Sequence, residues 1–200
     1  MDFLEPRCFP SDRIHAYFTT RAGGHSRNAW KSFNLALHVG DVPDAVMRNR
    51  ALLKESLQLP NEPFWLDQPH GRRVLGLDEL PNDRMADASI STTPGQICAV
   101  LVADCLPILL ANRLGTQVAA IHAGWRGLHA GIVPNTVDAF SAKPDQLIAW
   151  IGPAIARNSY QVRASLRAKF IKADEGTAKN FRNYGTGWHL DLAGLAYSQL

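Results

Sequence analysis

Three observations predict an α/β fold for this sequence. Residues 97–103 and 118–121 are nearly all apolar and read as central strands buried on both faces. Residues 43–57 and 162–173 carry apolar side chains at helical spacing. No internal repeat, low-complexity linker or break in composition divides the 200 residues, so residues 1–200 read as one domain long enough to bury a sizeable core.

Along the chain, residues 14–18 alternate as a strand and run into Thr19-Thr20-Arg21-Ala22-Gly23-Gly24, whose glycines predict a tight turn. A further apolar run, SFNLALHVGD, ends at Gly40-Asp41, and Asp41 or Asp44 can cap the helix over 43–57. Three prolines make residues 59–69 a loop or edge strand. Residues 112–115 carry a turn signal between the two apolar runs. Beyond His122 the chain turns through Ala-Gly-Trp-Arg-Gly into a helix over 128–140, and residues 147–151 predict another buried strand. The chain reaches Leu200 within a helical pattern, DLAGLAYSQL, that carries no C-terminal cap.

Composition narrows the function. The 21 Lys plus Arg exceed the 18 Asp plus Glu by three, but no dense basic run occurs, which disfavours a nucleic-acid partner. No apolar stretch reaches the ~18 residues of a membrane span, and the start, MDFLEPRCFP, lacks the pattern of a secretory signal. Three cysteines, Cys8, Cys98 and Cys105, are too few and uneven for a disulfide framework, so a reducing cytoplasm is expected.

Three segments place a metal-capable or nucleophilic side chain beside turn-forming residues: Asp67-Gln68-Pro69-His70-Gly71, Ala103-Asp104-Cys105-Leu106-Pro107 and His122-Ala123-Gly124-Trp125-Arg126-Gly127. If the turn at 112–115 closes an antiparallel hairpin, Cys105 and His122 lie equally far from its centre, between Arg113 and Leu114. Directly opposed residues have Cβ atoms roughly 4.5–5.5 Å apart, close enough to share a metal ion or a proton. Two chemistries follow. Cys105, His122 and a further ligand, most naturally His70, can hold Zn²⁺ with an open fourth position, leaving net charge +1 to acidify water and polarise an electrophile. Alternatively, Cys105 is a nucleophile activated by His122, with Asp104 nearby. Cys8 is remote in sequence and Cys98 reads as core. The Gly124-Trp125-Arg126-Gly127 segment, opening a helix, suits an anion, with Arg21 as a second contact, unless both arginines simply pair with carboxylates.

These residues resemble the YfiH/laccase-domain family, first labelled polyphenol oxidases and later multifunctional purine nucleoside phosphorylases. The matching segments are TTRAGG with Ser26, SFNLALHVGD, VMRNRALL, QPHG, ADCLPILL, HAGWRG and WIGPAI with Tyr160, spanning residues 18–160. QPHG differs from the commoner QVHG but keeps His70. The resemblance implies packed β-sheets flanked by helices in a cysteine-hydrolase-like arrangement. It implies zinc on His70, Cys105 and His122, and phosphorolysis of adenosine, inosine, guanosine and 5′-methylthioadenosine to a base and ribose 1-phosphate, with deamination of adenosine. Within that reading Asp104 exchanges protons or orients a ligand. Arg126, Arg21 and Arg50 hold phosphate, Asn34 and His38 address ribose or phosphate, and His129 is an ordinary surface histidine. Copper is an alternative metal, but seven histidines are few for the several copper sites of a laccase. Family chains also continue past the position matching Leu200, so the chain reads as lacking their C-terminal segment.

Overall fold

The apolar runs on either side of residues 112–115 do form a hairpin, and the rest of the chain is layered on it. In chain order the computed structural model, which describes residues 1–10, 12–79, 81–185 and 187–200, contains β1 (Phe3–Leu4), β2 (Phe18–Thr19), α1 (Pro43–Ser56), β3 (Val74–Gly76), β4 (Ala88–Ser91), β5 (Leu106–Asn112), β6 (Val118–Ala123), α2 (Trp125–Ala130), α3 (Ile132–Asp138), β7 (Leu147–Ile151), β8 (Gln161–Val162), α4 (Ala164–Ala173), β9 (Phe181–Asn183), β10 (Trp188–Leu190) and α5 (Leu192–Tyr197). The main sheet has the order β3-β4-β6-β5-β7 and is antiparallel except between β3 and β4. A small antiparallel sheet, β8-β10-β9, and the pair β1-β2 lie outside it.

Period-2 alternation gives the hairpin two different faces. Leu106, Ile108 and Leu110 of β5 join Ala119, Ile121 and Ala123 of β6 on the face covered by Leu128, Ile132, Val133, Phe170, Leu192 and Leu195 from the helices. Each such aliphatic side chain contributes about 1.5–3 kcal/mol on full burial. The opposite face presents Pro107, Leu109, Val118, Ala120 and His122 to a groove of about 1180 Å³. Residues 14–18 and 97–104 line that groove as well.

The hairpin register differs from the one the spacing suggested. Pro107 pairs with His122 and Leu106 with Ala123, so Cys105 precedes the strand and does not oppose His122. The turn is wider than expected: Asn112 accepts from Thr116 N (2.8 Å) and donates to Thr116 Oγ1 (2.8 Å), and its own N–H reaches Gln117 O (3.1 Å). The resulting shift is two residues, which preserves the side-chain face, so Cys105 keeps the parity of His122.

Residues 97–103 are extended but not a central strand. Apart from a bridge between Cys98 and Phe64, the segment is held at Leu101 by Gln68, whose side chain accepts from Leu101 N and donates to Leu101 O (both 2.8 Å). The place beside β6 belongs to β4, which carries Ser89 and Ser91 buried in the sheet interior. Ser91 is satisfied there by Asp78 (2.8 Å) and Gln96 (2.5 Å).

Other elements are shorter than predicted. Of the first predicted strand, residues 14–18, only Phe18 pairs, joined by Thr19 beyond it, with β1. Residues 128–140 do not form one helix: Gly131, at φ +89°, separates α2 from α3. Strand β7 is an edge and only partly buried. Helix α1 begins with Pro43 after Val42 and has no side-chain cap; the Asp41 carboxylate accepts from Val42 N (2.8 Å) and from Asn34 (2.9 Å). No described helix is long and apolar enough to cross a membrane.

Candidate metal centre

His70, Cys105 and His122 come together at one end of the groove, their ligand atoms all within 4.8 Å of one another. His122 is the next-to-last residue of β6 and is buried, Cys105 is half-buried just before β5, and His70 is exposed on the loop leading to β3. The two imidazoles meet edge to face, with ring centroids 4.7 Å apart. Two residues of the cluster region adopt the left-handed conformation that side chains rarely take, His70 at φ +64° and Asp104 at φ +75°. Gly124 leaves room for the three: a Cβ there would lie 3.0 Å from Cys105 Sγ and 3.3 Å from His70 Cδ2.

Electrostatics sort the two histidines. Burial by itself would push the His122 imidazolium down, but its hydrogen bonds to Asp87 and Cys105 raise it to about 9 in the absence of a metal. Burial and the neighbouring His122 lower His70. A thiol and two imidazoles that close together suit a borderline-soft divalent cation. Among the described residues this is the one group of three or more such side chains so placed.

The family model described as multi-copper polyphenol oxidoreductase laccase matches residues 15–200. The chain belongs to this family. Among its curated relatives, the purine nucleoside phosphorylase YfiH of Shigella flexneri is 45% identical over 188 residues, 94% of this chain and 77% of the relative. The protein of that name from Escherichia coli K12 is 44% identical over the same share of each chain. Among solved structures, a DUF152 protein of Neisseria meningitidis superposes with TM-score 0.92 at 39% identity, covering 99% of this chain and 82% of that one. A Bacillus licheniformis YfiH structure gives TM-score 0.83 at 27% identity, covering 94% and 77%.

Within this family framework the structure divides the other predicted site residues into two groups. Asp104 and Arg126 lie near the cluster and are exposed. Both act electrostatically on Tyr160, whose phenol is pushed up chiefly by burial, then by Cys105, with Arg126 opposing. The Arg126 guanidinium lies 4.6 Å from the Trp125 ring centroid. Helix α2 has only six residues, so an anion there depends on the Arg126 side chain more than on a helix dipole.

Arg21, Asn34 and His38 line the same groove as the cluster. Arg21 donates to Lys31 O, and Arg50 donates to Leu35 O (3.0 and 2.8 Å) while stacking on Trp65 (4.1 Å). Asn34 ties its own turn to Asp41. Arg21, Arg50 and Asn34 are therefore occupied in holding loops, and His38 is exposed. His129 packs against Phe170, centroids 5.0 Å apart, and is half-buried.

Sequence reasoning missed Asp87. Its carboxylate, fully buried, lies 2.8 Å from His122 Nδ1 and accepts from His70 N (2.9 Å) and Gly71 N (2.6 Å). The available signal was an acid between two alanines, Ala86-Asp87-Ala88, where a buried charge needs a partner. Asn49 was missed too: buried on α1, it donates to Ser26, Ser32 O and Asn34 O and accepts from His25 N, fastening the loop before the helix.

Proposed function

We propose that the chain is a zinc-dependent purine nucleoside phosphorylase, taking adenosine, inosine, guanosine or 5′-methylthioadenosine with inorganic phosphate to the free base and a ribose 1-phosphate, and deaminating adenosine. The observation that carries this is the convergence of Cys105 with His70 and His122 at the end of a groove large enough for a nucleoside. The names of the curated relatives supply the reaction class. His70, Cys105 and His122 would hold the ion, which when bound supplies Lewis-acid polarisation of an oxygen or nitrogen of the reactants.

The chain's own groups supply the rest. Arg126 offers a guanidinium fork whose geometry matches a phosphate, and its place beside the cluster makes it the anion contact. The Tyr160 hydroxyl, pushed up further by burial and the nearby Cys105 and Asp104, carries its proton at neutral pH and can donate to a purine nitrogen. Asp104, exposed beside Cys105, can take up or return a proton at its carboxylate. The three free thiols fit a cytoplasmic protein.

Adenosine incubated with and without phosphate, together with metal analysis of protein purified without added metal, tests the proposal. Adenine and ribose 1-phosphate should appear only with phosphate, and near-stoichiometric zinc should be absent from Cys105→Ala. Turnover retained after complete zinc removal would establish instead a Cys105–His122 hydrolase. Copper in the ion's place, with phenol oxidation, would restore the oxidase reading suggested by the family description.

A further inference from the structure

Asp87 touches two of the three clustered residues at once, and no ligand set that stops at those three explains why. Its side chain is fully buried on the residue before β4. Oδ1 lies 2.8 Å from His122 Nδ1 and 2.9 Å from His70 N, and Oδ2 lies 2.6 Å from Gly71 N. An ionised carboxylate can only accept, so the facing Nδ1 of a neutral His122 carries the ring proton and Nε2 is left with its lone pair. Nε2 is the nitrogen on the Cys105 side: a Cβ built on Gly124 meets both Cys105 Sγ and His122 Nε2. The same carboxylate gathers the successive N–H groups of His70 and Gly71, which holds His70 in its left-handed conformation at φ +64°. The Asp87 main chain completes the clamp, with Asp87 O accepting from His122 N at 2.7 Å.

We propose that Asp87 is the positioning residue of the centre: it fixes the His122 tautomer and the His70 backbone together, and with the Cys105 thiolate it balances the charge of a divalent ion. This rests on the zinc reading above for the ion, but not for the tautomer. Buried carboxylates behind ligating histidines raise metal affinity about 10–100-fold.

The test compares wild type with Asp87→Asn and Asp87→Ala. Zinc affinity is read by competition with a chromophoric chelator on protein shown to be folded by circular dichroism. The His122 tautomer is read by ¹⁵N NMR of metal-free protein on the alkaline plateau where the ring shifts no longer change with pH. Wild type should show the Nδ1–H form, and both variants should lose roughly 10–100-fold in zinc affinity. Affinity within twofold of wild type in a folded variant, or an Nε2–H ring in the wild-type protein, overturns the proposal. Should neither variant fold, the wild-type spectrum still decides it. Wild type that binds no zinc but shows Nδ1–H would sink the zinc reading and leave the positioning role standing.

Discussion

A methyl group at Gly124 would sit 3.0 Å from Cys105 Sγ, 3.3 Å from His70 Cδ2 and 3.9 Å from His122 Nε2. The backbone there is extended, at φ −73°, so alanine brings no conformational strain and its effect falls on the cluster alone. Gly124→Ala should therefore leave the urea unfolding midpoint of metal-free protein nearly unchanged while lowering zinc affinity about tenfold, in the range seen when ligand orientation is disturbed. Unchanged zinc affinity in that variant would show that the ion does not occupy the space between the three side chains. At this scale much was legible: His70, Cys105 and His122 each stand beside turn-forming residues, a pattern local sequence displays. Asp87 was not, because its importance lies in contacts with residues 35 positions away at His122 and 17 away at His70. Arg50 and Asn34 also donate to nearby backbone carbonyls, contacts that a cation or an amide in sequence does not announce.

Among the elements, the break at Gly131 shows how one residue divides what helical periodicity joins. Apolar positions continue across residues 128–140, but Gly131 takes φ +89° and serves as the last cap of α2 and the first of α3. Its N–H reaches Leu128 O (3.2 Å), and its Cβ position is open except for Pro134 Cγ at 3.5 Å, an ordinary contact. Gly131→Ala should thus cost about 1–2 kcal/mol through the left-handed backbone and not through crowding. Urea denaturation checks it, and an alanine variant as stable as wild type would mean the two helices can merge. Strand β4 is the reverse case: it stands unpredicted in the sheet interior with two buried serines, whereas the apolar residues 97–103 suggested a strand that is absent. Hydropathy reports that a segment is shielded from water; which neighbour provides its backbone partners depends on the competition for places beside β6.

Across the whole molecule, the buried His122–Asp87 pair links stability to pH. In metal-free protein His122 is raised from 6.5 to about 9, so the folded state holds its proton more tightly than the unfolded chain. Its contribution is fully present below about pH 6.5 and is lost as pH rises through about 9. Urea midpoints measured in chelator from pH 6 to 10 should fall over that window, and His122→Gln should flatten the fall. An equally steep decline in the variant would assign it to other groups. With zinc present the dependence should weaken, because a ligating imidazole cannot also be protonated.

The sequence by itself determined the α/β class, the hairpin, the helix after Val42 and the identity of three metal-capable side chains, since periodicity and turn chemistry act over a few residues. Tertiary structure alone decided the hairpin register, the partner of β6 and the role of Asp87. The physical reason is visible at Cys105 and His122. A wider turn, made by Asn112 bonding to Thr116, moved the register by two residues and left both side chains on one face. The pair was thus found through a parity that local sequence carries, whereas the carboxylate behind it lies just before another strand and meets His122 only when the sheet closes.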